Sequence, residues 1–110
     1  FSRARYFNTD LIFPDSFQTF AGSDVFNIVG SGGSNTGCKY IYFGKDTQSF
    51  GSQNFGYFSG VTRVDMNMLN VPSSSQLLVG NSIAVIHAPS NSNFGPTYAG
   101  FTVVKDLPAL

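Results

Sequence analysis

The chain has 110 residues, enough for one domain with its own core but not for two. Only 11% of them are charged, against about a quarter in an ordinary soluble domain, and six basic side chains balance six aspartates with no glutamate. That balance excludes a basic stripe able to neutralise nucleic-acid phosphates, and one histidine with one cysteine leaves a transition-metal centre short of ligands.

Strong helix formers are scarce, whereas Phe, Tyr, Val, Ser, Thr, Asn and Gly dominate, so strands and turns are well supplied and helices are not. A surface with so few charges is clothed in uncharged polar groups. A net charge of zero gives little electrostatic protection against association. Cys38 has no partner for an intrachain disulfide and reads as a small buried apolar residue. No Asn lies in a glycosylation sequon, no apolar run approaches the ~20 residues of a membrane span, and no signal-peptide pattern is present. Phe1 in place of an initiator Met points to processing or to a piece of a longer chain.

In chain order, residues 1–9 hold Arg3 and Arg5 among Phe1, Tyr6 and Phe7. Terminal segments fray unless tied down, so these rings and arginines read either as an arm docking on a partner or as the first strand of the sheet. In Asp10 to Phe20 an apolar run is cut by Pro14, which demotes it to an edge or a turn. Asp24 to Gly30 reads as a strand, and the glycine-rich 30–37 stretch as a surface loop or hairpin. That loop lacks the Lys-Ser/Thr ending of a phosphate-binding loop and the spacing of a dinucleotide fingerprint.

The stretch Cys38 to Val71 carries the strongest strand signals. Lys39 to Phe43 is an aromatic and β-branched run. Val61 to Val71 alternates, with Val64, Met66 and Met68 on one face against Arg63, Asp65 and Asn67 on the other. A helical reading of that window groups Val61, Val64, Met68 and Leu69, but nothing caps it. Between the two runs, Phe43-Gly44, Phe50-Gly51 and Phe55-Gly56 mark bends, bulges or close backbone approaches beside large rings.

Pro72 to Ser75 reads as a turn, and Gln76 to Ala88 as two strands joined by a Gly80-Asn81 hairpin turn. Pro89 to Tyr98 is a loop with a fourth Phe-Gly at Phe94-Gly95. Ala99 to Val104 is a closing strand. The expected organisation is an N-terminal arm (1–9), a β domain (10–104) and a C-terminal tail (105–110). Seven or eight short strands at this spacing predict an all-β domain, an antiparallel sandwich or barrel of jelly-roll type with extended termini.

His87 is the only acid-base group near neutral pH and sits in an apolar run close to a turn, where one structural hydrogen bond is the ordinary role. The serines form no nucleophile signature, and the aspartates show no spacing of a carboxylate pair or calcium loop. The chain therefore reads as a non-enzymatic structural protein without a cofactor. It is expected to associate with copies of itself or with a major shell protein, as a homo-oligomer in a virion or outside cells, with neither nucleic acid nor membrane as its main partner. Expected contact residues are Phe1, Arg3, Arg5, Tyr6, Phe7, Phe50, Phe55 and Phe94. The alternative is an extracellular carbohydrate-binding or adhesive module, or a surface-filament subunit; absence of Trp counts against a sugar site.

Overall fold

The computed structural model describes residues 10–18, 37–51, 58–74, 78 and 81–110. Expectations for the 1–9 arm, the 24–30 strand, most of the glycine-rich loop, Phe55-Gly56 and Gly80 lie outside them. The described elements are all strands: β1 (Leu11–Ile12), β2 (Tyr40–Phe43), β3 (Ser49–Gly51), β4 (Arg63–Met66), β5 (Ser73–Ser74), β6 (Val85–Pro89), β7 (Thr97–Tyr98) and β8 (Phe101–Leu107). The class is all-β, as composition predicts.

The pairing differs from expectation. The main sheet has the order β1-β2-β4-β6-β8-β7, and β3 pairs with β5 in a second, two-stranded sheet. Every pair is parallel except β7 with β8, and neither a sandwich nor a closed barrel is seen among the described residues. The chain leaves the main sheet after β2, adds β3 to the small sheet, returns as β4, and repeats the excursion through β5 to reach β6. Tyr40 thus lies beside Arg63, and Arg63 beside Val85, strides of 23 and 22 residues like those of solenoid coils, while Leu11 to Ile41 and Ile86 to Val103 are 30 and 17 residues apart. Parallel neighbours need a crossover of roughly a dozen residues or more. Counting every strand in one sheet hides that crossover, because the alternate strands lie on another.

Register stacks like upon like. Leu11, Ile41, Val64, Ile86 and Val103 form one continuous row across five strands, and the first four are buried. The next inward row brings Phe43 beside Met66. Phe43 stacks on Phe13 (centroids 5.1 Å, planes 7° apart) and meets Phe50 edge-on at 4.8 Å. Cys38, Phe58, Val61 and Met68 complete the same core. At Gly44 a Cβ would stand 2.6 Å from the Asp15 Cα, so this Phe-Gly step is the close backbone approach that the sequence anticipates.

Several boundaries move. Ser73–Ser74 is strand β5 instead of part of a turn. Among the described residues β6 takes its neighbours from β4 and β8, not from a strand just before Asn81. Asn81 is instead a staple: its Nδ2 donates to the Phe58 and Val61 carbonyls (2.8 and 2.7 Å), and its Oδ1 accepts from the Ile83 and Ala84 amides (both 2.9 Å). The hairpin lies one element later, where Ala99 (φ 50°) and Gly100 (φ 86°) turn β7 into β8, both in the left-handed region that a tight two-residue turn requires. The strand expected to start at Ala99 therefore starts at Phe101, and it runs through the boundary placed after Val104. Leu110 is tied back by hydrogen bonds in both directions with the Asn91 side chain.

Replacing Asn81 by Leu strands two carbonyls and two amides, and is expected to lower stability on the order of 3 kcal/mol. Asn81→Asp keeps the acceptor but sets a carboxylate oxygen against the Phe58 and Val61 carbonyls, and is expected to destabilise at least as much. Urea denaturation midpoints measure the order. Ala99→Asn places at this positive φ a residue that tolerates the left-handed region better than alanine and is expected to raise the midpoint, by roughly 0.5 kcal/mol; an unchanged or lower midpoint would contradict the turn geometry.

Candidate functional site

Residues that alternate with the core row point outward from the main sheet. Ile12, Tyr42, Asp65, His87 and Val104 form one outward row, and Tyr40, Arg63 and Val85 the next. Neighbouring strands stand ~4.8 Å apart, so polar side chains on these rows meet across strands.

Asp65 is the centre of the first cluster. Its Oδ1 accepts from Arg63 Nε at 2.7 Å and its Oδ2 from the Tyr40 hydroxyl at 2.5 Å. Arg63 and Asp65 are two apart on β4 and share a face, while Tyr40 arrives from β2. Together they leave the Asp65 side chain only 11% exposed although it lies on the outward face. Burial, then the hydrogen bond to Asp65, pushes the Tyr40 phenol upward, and the bond to Asp65 pushes the Arg63 guanidinium upward. Tyr42 sits in a second chain of bonds: its hydroxyl donates to Asp15 Oδ1 at 3.0 Å and accepts from Asn67 Nδ2 at 3.1 Å.

The third group is His87 with Asp106. Nδ1 of His87 on β6 lies 2.7 Å from Asp106 Oδ1 on β8. A carboxylate only accepts, so Nδ1 carries the proton. This bond, ahead of a smaller electrostatic pull from the same ring, lowers the Asp106 carboxyl, and Arg63 lowers it further from across the face. The histidine therefore has the single strand-to-strand hydrogen bond expected of it. Among the described residues no serine or cysteine hydrogen-bonds to the ring: Cys38 is buried, bonds the Tyr40 carbonyl through Sγ at 3.6 Å, and its thiol is raised by burial.

Of the contact residues expected from sequence, Phe50 and Phe94 are core residues. Phe50 packs on Phe43, and Phe94 meets Tyr98 edge-on at 5.6 Å; rings this deep are used inside the fold and not presented to a partner. Phe1, Arg3, Arg5, Tyr6, Phe7 and Phe55 lie outside the described residues. Tyr40, Arg63, Asp65, His87 and Asp106 were not singled out as a group, because only the register brings them together.

Two further surfaces bear on function. At the β1 margin, Phe13 donates its amide to the Tyr42 carbonyl; backbone groups alternate along a strand, so those of Ile12 turn away from β2, and its side chain is 62% exposed. At the other margin, β7 covers Phe101 and Thr102, and the Pro96 carbonyl takes the Val103 amide. A groove of about 430 Å³ lies among Lys45, Asp46, Leu69, Asn70 and Leu110; its charged lining is one exposed ion pair. Among the described residues no cluster of three or more metal-ligating side chains occurs, and no helix is long and apolar enough to cross a membrane.

No protein-family model matches the chain, nor does any curated protein or any solved structure.

The lowered Asp106 carboxyl makes a pH prediction. A depressed folded value contributes stability that is present above the ordinary carboxylate range and lost as pH falls through the folded value. Carbon-detected NMR titration of Asp106 is expected to give a midpoint below ~3.9, moving up to that value in His87→Phe. A midpoint unaffected by the substitution would show that the 2.7 Å contact does not persist in solution.

Proposed function

We propose that the chain is a non-enzymatic structural module that works by association with a second copy of itself, as part of a virion or an extracellular surface assembly. The observation that supports this reading is the β1 margin. A solenoid coil is stabilised by the coil stacked on it, and among the described residues β1 is a terminal strand of the main sheet whose Ile12 has backbone groups directed away from β2 and an exposed apolar side chain. Such an edge is a template for another strand.

The opposite margin explains why the pairing closes instead of growing into a fibre. Pro96 to Tyr98 occupies the edge beside Phe101 to Val103, which is where an in-register β1 of another copy would have to sit. With one end obstructed, the self-complementary arrangement is β1 against β1 about a two-fold axis. Two-fold dimers are also the commonest closed assembly. Ile12 then faces Ile12 of the second copy. Asp10 falls opposite Pro14, so no like charges meet, and Asp10 already holds the Lys39 and Tyr40 amides. The 1–9 arm, with Phe1, Arg3, Arg5, Tyr6 and Phe7, supplies the remaining contacts in this reading. Its arginines and rings are the residue types that anchor interfaces.

Light scattering and sedimentation over a dilution series test the proposal. The expected result is a dimer that dissociates at concentrations at least about tenfold higher in Ile12→Pro, since proline at an edge removes the outward donor while the fold survives. Deleting residues 1–9 should weaken the dimer further and leave the circular dichroism unchanged. A monomer throughout the series, or a dimer indifferent to Ile12→Pro, would overturn it.

A further inference from the structure

The outward face of β4, β6 and β8 carries hydrogen-bonding capacity that the fold does not use. Arg63 commits only Nε to Asp65, which leaves its two terminal nitrogens on a side chain that is 46% exposed. His87 commits only Nδ1, and among the described residues its Nε2 makes no hydrogen bond. Asp106 commits Oδ1 and keeps its second oxygen on a half-exposed side chain. Arg63 bonds Asp65, the strand partner of Asp65 is His87, and His87 bonds Asp106, so the three groups share one patch of the outward face, although they come from three strands. The valines Val85 and Val104, the latter 39% exposed, lie between and beside them on the same outward rows.

We infer that this patch, Arg63, His87 and Asp106 with Val85 and Val104, is a shallow binding site for a neutral saccharide. The charge balance selects the ligand class. Arg63 and Asp65 cancel, and with His87 counted as neutral Asp106 leaves the patch with a negative charge, so it does not attract a phosphate, sulfate or uronate, and a bound anion would have to displace a carboxylate already in place. What remains is a set of mixed donors and acceptors: two guanidinium nitrogens, one imidazole nitrogen and one carboxylate oxygen. Adjacent hydroxyls of a sugar ring donate and accept at the same time and so satisfy a carboxylate and a guanidinium together. The two valines offer an apolar surface against which the C–H face of the ring rests. Each polar side chain is already held by a partner, through Asp65 for Arg63 and through the mutual bond for His87 and Asp106. Little side-chain freedom is therefore lost on binding. The absence of Trp leaves affinity to hydrogen bonding and pre-organisation, which places the interaction in the millimolar-to-micromolar regime typical of a contact repeated on many copies.

The site is independent of the β1 margin, and its test is read on a different surface. Uniformly labelled full chain is titrated in separate NMR experiments with neutral cello-, malto- and galacto-oligosaccharides and, as the charged comparator, with oligogalacturonate. The expected result is a dose-dependent set of shifts on Arg63, Val85, His87, Val104 and Asp106 with at least one neutral oligomer, and none from the comparator at equal concentration. Asp106→Asn and Arg63→Lys should each weaken that binding by about tenfold. Val104→Ala, which trims the apolar surface without adding a charge beside His87, should weaken it in a chain whose remaining spectrum is unchanged. No shifts at 10 mM of every oligomer (roughly the weakest affinity that is still recognition), shifts confined to another surface, or equal binding of oligogalacturonate would each overturn the inference.

Discussion

The structure depends on one constraint: in-register stacking of the row Leu11, Ile41, Val64, Ile86 and Val103. Each turn of the chain has too few apolar residues to bury a core alone. Stacking solves this by making each apolar side chain the floor of the one above. A slip of one residue in β4 or β2 would put Asp65 or Tyr42 into that row, because side-chain direction alternates with period two. Burying an uncompensated carboxylate costs several kcal/mol, so the register is fixed by what the neighbouring rows contain as much as by the row itself.

Once the register is set, the polar groups left between coils have to be satisfied, and this is done by a few side chains spanning strands. Asn81 bonds four backbone groups around the entries to β4 and β6. Asp10 holds two amides ahead of β2. Leu78 illustrates the balance: it sits at φ 53° and is 1% exposed. A left-handed backbone costs about 1–2 kcal/mol for such a residue, while burying leucine contributes roughly 1.5–3 kcal/mol. Burial outweighs strain there, and no glycine is required.

The same stacking converts a sparsely charged sequence into a face with organised charge. Arg63 with Asp65 and His87 with Asp106 are hydrogen-bonded pairs on the outward rows, which fixes the direction of these side chains. The β1 margin and the obstructed β8 margin, in turn, give the two ends of the sheet different capacities for association.

Residue types and their alternation were sufficient for the strand content, for the burial of Cys38, Val64, Met66 and Met68, for the edge position of the Pro14 segment and for the structural hydrogen bond of His87. Those features depend only on local propensity and on which face of a strand a residue occupies, and both are written in neighbouring residues. Whether strands pair parallel or antiparallel is not, since the period of two is the same in either case and the turn residues at Gly80-Asn81 serve a side-chain staple as well as a hairpin. The outward cluster was equally illegible. Tyr40, Arg63, His87 and Asp106 lie on four different strands, and only the tertiary register, imposed by the apolar row behind them, decides that they meet.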